Sequence, residues 1–320
     1  MKLLFAVTFT SVYALSVRLL FGFFDNILSI MGITFLILVP ACIGFVTVLL
    51  SGKKIKNRLS AFFTPWITSS FLLIITILLN LEGIICWIMM FPLFAVLSGF
   101  GGITAYEINK KQMRSEREKT LDISLAFLIP LLIGYIEGDR SLTPETLTVK
   151  EEITIQAGSD KIWRHIINVN IDNDRETRSL SETLGFPKHL YTTLDTAAVG
   201  GKRIAYYSKG LFFEETITDL IKEKKLVLEI TTYPKKIPPT VMDEHILIGG
   251  EHLDILEDVY QLEPLKNGKI KVSLSSEFYI NTPFNWYSKL WAKMLMTDML
   301  NQQLKRIKRQ STTSNAEHKK

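Results

Sequence analysis

The densest group of ionisable residues in the chain is His245, Glu251, His252 and Asp254, gathered about the Gly249-Gly250 turn. Imidazoles and carboxylates are the side chains that hold metal ions and move protons. A hairpin closed by the glycines would set His245 opposite Asp254. Two histidines on facing strands do not assure the three or four converging ligands of a metal site, so the group reads as a solvated cross-strand pair. Arg203, Glu214, Glu229 and Tyr260 form a second set on strand-like segments, and they face solvent unless a register shift of one residue turns them inward. Cys42 and Cys86 fall within apolar runs and read as small buried hydrophobes, not as a zinc knuckle or a disulfide framework. Ser98-Gly99-Phe100-Gly101-Gly102 has the glycines of a phosphate loop, but no Lys-Ser/Thr follows and no strand precedes it. Close helix packing by small residues accounts for it.

Two different materials must position these residues. The 320-residue chain is 47% hydrophobic with a net charge of +5, yet nearly all long apolar runs lie before Arg140. Up to that residue there are 12 Lys/Arg against 8 Asp/Glu, and after it 25 against 24. The basic pI near 9.0 therefore comes from short clusters, not from a basic face with interleaved aromatics, which argues against nucleic-acid binding.

Leu3–Phe24, Ile27–Leu50, Phe62–Leu79 and Ile84–Tyr106 are each long enough to cross a hydrocarbon core of about 30 Å. Leu121–Ile136 is shorter, with Asp122 near its start and Pro130 inside; it either spans or re-enters, and the polar exit after Glu137 and Asp139, in which Arg140 is the only cation, suits the non-basic side and favours spanning. Lys2, the Lys53-Lys54-Lys56-Arg58 cluster and the Lys110-to-Lys119 cluster share one side, and the two opposite connections carry no Lys or Arg. By the positive-inside rule the basic side is cytoplasmic. With five spans, everything after Gly138 is extracytoplasmic, tethered to an inner or plasma membrane. Arg18 can snorkel and Asp122 sits close to an interface, so neither marks a transport path.

From Leu147 the period changes to two. Strands are expected at Thr148–Ile155, Tyr191–Thr196, Lys202–Ser208, Leu211–Ile221, Lys225–Tyr233, His245–Leu262 (broken at the glycines) and Lys269–Ile280, in meander order, with Asn267-Gly268 as a two-residue hairpin. Ser159 is a candidate N-cap for a short helix ending near Asn168. On the last strand Ile270, Val272, Leu274, Phe278 and Ile280 share one face, which something must cover. Thr282 and Pro283 announce a long helix to about Arg309, with Tyr287, Trp291, Met294, Leu295 and Met299 at three- and four-residue spacing and Lys305, Arg306, Lys308 and Arg309 in its last turn. The same helix lying on a bilayer through Trp286 and Trp291 is the alternative, and the uncovered sheet face argues against it.

A strand, a short helix, an antiparallel meander and one closing helix make an α+β unit in which a curved sheet grips a helix. Ile153-Thr154-Ile155 before Ser159-Asp160-Lys161-Ile162-Trp163, the Gly200-Gly201-Lys202-Arg203 and Asn267-Gly268 turns, and Ser275-Ser276-Glu277-Phe278-Tyr279 running into Thr282-Pro283-Phe284-Asn285-Trp286-Tyr287 carry the likeness. Over about Thr146–Gln310 the chain resembles the START/polyketide-cyclase-like (SRPBCC) superfamily with its helix-grip fold. The resemblance implies a cavity between sheet and helix for a lipid, sterol, polyketide or other hydrophobic ligand. Tyr287, Trp291, Met294, Leu295, Phe278 and Leu274 are its candidate lining. The expected organisation is a transmembrane helical region of about five helices over 1–140, the helix-grip domain over 141–310 and a disordered tail over 311–320. The reading is a membrane-anchored protein that binds or transfers a lipid-like ligand, with no catalytic residue, metal or cofactor assigned and no oligomeric state implied. A cyclase/dehydratase-type enzyme using the same cavity, or a protein-interaction module with a closed one, are the other readings.

Overall fold

The computed structural model describes residues 2–24, 28–79, 81–111, 116–137, 142–169, 179–237 and 247–313. The chain divides into two compact units, one of Met1–Thr143 with Thr282–Phe284 and one of Pro144–Asn281 with Asn285–Lys320.

The first unit is helical. It comprises α1 (Lys2–Phe23), α2 (Val39–Ser51) entered through a π-helical turn at Thr34–Leu38, α3 (Arg58–Leu78), α4 (Ile84–Lys111) and α5 (Glu116–Glu137). Among the described residues, five helical segments are long and apolar enough to cross a membrane. Asn57 starts α3 with a reciprocal cap: its side chain accepts from the Ser60 N–H at 2.8 Å and its own N–H reaches Ser60 Oγ at 3.3 Å. The glycines set how closely helices approach. A Cβ on Gly44 would lie 1.7 Å from the Ser98 carbonyl oxygen, and one on Gly101 1.9 Å from that of Ala41. A Cβ on Gly102 would likewise lie 2.2 Å from the Ala61 carbonyl oxygen of α3, so the Ser98–Gly102 stretch is a contact surface of α4 against both α2 and α3, as its small residues suggest.

Polar contacts identify the two ends of this unit. At one, Arg58 Nε donates to Glu107 Oε1 at 2.6 Å and the Tyr106 hydroxyl to the Lys56 carbonyl at 3.2 Å. At the other, Arg18 Nε donates to Glu82 Oε1 at 2.5 Å, while the Glu137 carboxylate accepts from the N–H groups of Ile33 and Thr34 at 2.5 and 2.8 Å. Arg18 is thus paired within the protein and does not snorkel to water. Glu137 closes α5 beside the start of the π-helical turn, so α5 traverses the unit and ends away from the basic connection before α3. The charged turn Glu116–Thr120 lengthens the short apolar run Leu121–Ile136 into a helix of 22 residues, about 33 Å at 1.5 Å per residue.

The second unit is α+β. Its seven strands are β1 (Pro144–Ile155), β2 (His189–Leu194), β3 (Lys202–Tyr207), β4 (Phe212–Ile221), β5 (Lys225–Thr231), β6 (Leu253–Pro264) and β7 (Ile270–Asn281). They form one antiparallel sheet in the order β1-β7-β6-β5-β4-β3-β2. The helices are α6 (Ser159–Ile167), α7 (Leu180–Thr183) and α8 (Asn285–Thr313). Val272, Leu274 and Phe278 of β7, Leu226 and Leu228 of β5, Ile162 and Ile166 of α6, and Met296, Leu300 and Leu304 of α8 share one core. This is the expected helix-grip layout.

Several boundaries differ from the expectation. The Ser159 hydroxyl donates to Glu223 Oε2 at 2.5 Å, and Gly158 occupies the N-cap of α6. β6 starts only at Leu253, because Leu247–Gly250 closes a turn through Gly250 N–H to the Leu247 carbonyl and Gly249 adopts φ +81°. The β6–β7 loop has three residues, Lys266–Gly268, between the paired Leu265 and Lys269; Gly268 at φ +70° supplies the left-handed residue that such a loop needs. Pro283 lies in a turn, and α8 begins at Asn285. α8 also runs four residues beyond Arg309, since Ser311 lies one turn after Ile307 on the same buried side.

Gly101→Ala should force α2 and α4 apart and lower stability by about 1–3 kcal/mol. Thermal unfolding of the detergent-solubilised chain checks this, with exposed Thr104→Ala as the nearly neutral control.

Candidate functional site

The inner face of the sheet carries a buried polar cluster, and simple alternation places the members that lie on strands. On β3 Arg203, Ala205 and Tyr207 point the same way; on β4 Phe213, Glu215 and Ile217 do; on β6 Asp258, Tyr260 and Leu262 do. Register sets Arg203 opposite Glu215, Leu228 opposite Asp258, and Asp258 opposite Ser276 of β7. These residues meet beneath α8.

Arg203 and Glu215 are 3% and 5% exposed and form an ion pair from Arg203 Nε to Glu215 Oε2. Arg203 also donates from a terminal nitrogen to the Ile166 carbonyl at 2.7 Å, which ties the pair to the end of α6. Burial alone would lower the Arg203 pKa, but Glu215 and Tyr260 raise it, so the guanidinium stays charged. Burial pushes the Glu215 carboxyl up and Arg203 opposes that shift. The Tyr260 hydroxyl donates to Gln303 Oε1 of α8 at 2.7 Å, joining sheet and helix through the cluster.

Asp258 has no such compensation. Burial first, then the charge of Glu215, hold its carboxyl up to about 7, against the pull of the nearby Ser276 hydroxyl and Arg203. Asp258 Oδ1 and Ser276 Oγ are both shielded from solvent and make no hydrogen bond among the described residues. Burial also raises the pKa values of Tyr207 and Tyr260, which leaves both phenols as neutral donors. At the β2 side, His189 stacks on Tyr207 with ring centroids 4.8 Å apart. Its Nδ1 lies 3.3 Å from a terminal nitrogen of Arg306, and burial, then Arg306 and Arg203, lower its pKa to about 3. Arginine has no acceptor, so Nδ1 accepts and the proton sits on Nε2, a buried atom with no hydrogen bond among the described residues. The cluster therefore offers an acid near neutrality, neutral phenols, a neutral imidazole and one compensated guanidinium, a set able to bind a polar group or to move a proton.

Several of the residues singled out in the sequence can now be placed. Arg203 and Tyr260 face inward without any register shift, contrary to the solvent-face expectation, because they share their period-two face with Ala205 and Leu262. Glu214 and Glu229 lie on the outer face as expected: Glu214 pairs with Lys202 at 2.9 Å and accepts from the Tyr233 hydroxyl at 3.0 Å. These two partners hold its carboxyl below its usual range. Arg306 is buried and faces His189, and so is not one of the solvated cations closing the helix. His245 lies outside the described residues. Asp254 stands opposite Tyr279 and accepts from Thr232 Oγ1 at 3.0 Å, while His252 Nδ1 lies 2.9 Å from the Asn281 carbonyl. No group of three or more His, Cys, Asp or Glu able to hold a metal converges among the described residues.

Of the candidate lining, Leu274 and Phe278 are fully buried on the inner face and Leu295 is buried, whereas Tyr287 and Trp291 are partly exposed and Met294 is 39% exposed. The stripe of α8 in the sheet core is Ala292, Met296, Leu300, Leu304 and Ile307. It is displaced by about one residue, roughly 100° around the helix, from the stripe that the bulky aromatics suggest. Glu215, Asp258, Tyr207, His189, Ser276 and Gln303 were not singled out in the sequence. Glu215 and Asp258 were accessible to it, since Phe213 and Ile217 flank one, and Tyr260 and Leu262 continue the face of the other.

No protein-family model matches the chain, and no curated protein matches it. Similar solved structures include truncated norcoclaurine synthase from Thalictrum flavum, at 13% identity over 53% of this chain and 96% of that one, with a TM-score of 0.34. The Zhui aromatase/cyclase from Streptomyces sp. R1128 is similar at 14% identity over 53% and 98%, with a TM-score of 0.33. An uncharacterised protein from Rhizobium leguminosarum follows at 15% identity over 52% and 98%, with a TM-score of 0.31. Such identities transfer no residue role to this chain.

Two outcomes test the electrostatics. Arg203→Met should cost about 3–5 kcal/mol by stranding Glu215, and Arg203→Met with Glu215→Leu should recover most of that loss, read from thermal unfolding of the full chain. The folded protein keeps the Asp258 proton to about pH 7, whereas an ordinary aspartate releases it near 3.8, so this group's contribution to stability falls as pH rises between those values. Asp258→Asn should therefore gain about 2 kcal/mol at pH 8, less than the full shift implies because the residue as a whole is only half-buried, and almost nothing at pH 4.5.

Proposed function

We propose that this protein is a membrane-anchored hydrophobic-ligand-binding protein whose helix-grip domain takes a lipid-like molecule against the inner face of its sheet. The observation that carries this reading is the group of shielded polar atoms without hydrogen bonds among the described residues, Asp258 Oδ1, Ser276 Oγ and His189 Nε2, which lie between the Arg203–Glu215 pair and the buried apolar side chains of the sheet. Buried polar groups cost about 1–3 kcal/mol each when unpaired, and the polar end of a ligand would offset that cost. Leu274 and Phe278 are the proposed wall on the sheet, and Met296, Leu300 and Leu304, the α8 residues that face it, the proposed wall on the helix. The reading calls for no cofactor.

The helical unit supplies the anchor in this proposal. Its Lys/Arg-rich connections belong in the cytoplasm and α5 ends away from the basic connection before α3, which supports an extracytoplasmic helix-grip domain in an inner or plasma membrane. A second reading, an enzyme of the cyclase/dehydratase type, is favoured by one observation: the Asp258 carboxyl near 7 lies among neutral tyrosines, where it can act as an acid–base group.

Purified full chain, extracted and analysed by mass spectrometry, should release an apolar molecule in near-stoichiometric amount. A chain that yields none and takes up no fluorescent apolar probe would falsify the binding reading. For the enzyme reading, wild-type protein should alter the mass of the molecule extracted from the Asp258→Asn variant. A reporter fused after Lys320 should be active outside the cytoplasm; a cytoplasmic signal refutes the five-span topology.

A further inference from the structure

We propose that Asp258 and Ser276 together form a seat for a single uncharged hydroxyl group at the end of an otherwise apolar ligand. The inference rests on the ligand-binding reading and specifies its polar contact. The two residues are register partners on adjacent strands, so their side chains leave the sheet side by side. Across the sheet Asp258 is flanked by Leu228 and Ser276 by Val149, both buried. Tyr260, Leu274 and Phe278 close the surroundings along the strands. The seat is thus two adjacent polar atoms, framed by apolar side chains of β1, β5 and β7 on one side and by Tyr260 and the Arg203–Glu215 pair on the other: Asp258 Oδ1, and Ser276 Oγ on a residue that is 1% exposed, neither hydrogen-bonded among the described residues.

The chemistry of the pair selects the ligand group. A hydroxyl has one donor and acceptor lone pairs, so it can donate to the Asp258 carboxyl and accept from the Ser276 hydroxyl, satisfying both atoms at once. A carboxylate or phosphate would meet the acidic Asp258, with the nearest guanidinium, Arg203, already engaged by Glu215. An ammonium would bury three donors against two acceptors within the field of Arg203, leaving donors unpaired in an apolar site. An alkane would leave both protein atoms unpaired.

The test uses the full chain in a fluorinated surfactant, incubated with equal concentrations of dodecanol, dodecylamine, lauric acid and dodecane; the bound fraction is separated by gel filtration and quantified by gas chromatography. Dodecanol should be retained at least about tenfold over each of the other three, the worth of roughly one satisfied buried hydrogen bond. Ser276→Ala and Asp258→Leu should bring dodecanol down to the level of dodecane, while Asp258→Asn, which keeps a donor and an acceptor, should stay within about threefold of wild type. If Asp258→Leu does not fold, Ser276→Ala, which deletes one oxygen atom, decides. Equal retention of all four compounds, preference for the amine or the acid, or an alcohol preference untouched by Ser276→Ala each overturns the seat while leaving the binding reading intact. Uptake of none of the four overturns the binding reading and the seat with it.

Discussion

The Arg203–Glu215 pair is the interaction around which the helix-grip domain is arranged. Two charges buried between a sheet and a helix cost several kcal/mol each in lost hydration, and their attraction offsets that only when the remaining donors and acceptors are also occupied. Here the Ile166 carbonyl takes one guanidinium N–H, Tyr260 lies against the same group, and Tyr260 in turn is held by Gln303. One ion pair thereby links β3 and β4 to the end of α6, and through Tyr260 links β6 to α8. An apolar pair could fill the same volume. It could not impose direction on five elements at once.

The cost of that arrangement appears nearby. Glu215 contributes to raising the Asp258 carboxyl, and Arg203 and Arg306 help to suppress protonation of His189. Charges placed to hold the architecture thus set the proton affinities of the groups best placed to meet a ligand. The helical unit follows a different rule. Its contacts depend on absent side chains, with Gly44 and Gly101 letting carbonyl oxygens of the neighbouring helix come closer than any Cβ would allow. The ion pairs Arg18–Glu82 and Arg58–Glu107 lie at its two ends.

Much of this was legible beforehand. The five apolar helices, the seven strands and the closing helix follow from hydrophobic period and turn residues, and the role of Ser98–Gly102 follows from its small residues. The cluster was less legible for a specific reason. Residue type alone makes Arg203 and Tyr260 polar and so wet, whereas the alternation of β3 and β6 assigns them to the inner face. On α8 the reverse error arose: Trp291 and Met294 carried the apparent apolar stripe, while Ala292 and Gln303, which contribute little to a hydropathy pattern, face the sheet or the cluster.

What the sequence determined by itself was the material of each half, the order of the elements and the two-residue period that orients every strand, because these depend on neighbours a few positions apart. What only the tertiary structure decided was which polar groups meet. Glu215 answers Arg203, Ser276 stands beside Asp258, and Gln303 reaches Tyr260 from 43 positions away. Such pairings depend on register, sheet curvature and the rotation of α8, and the proton affinities of the site depend on the distances that result. Chain-local patterns carry none of those quantities, since Coulombic and desolvation energies are set by separation in space.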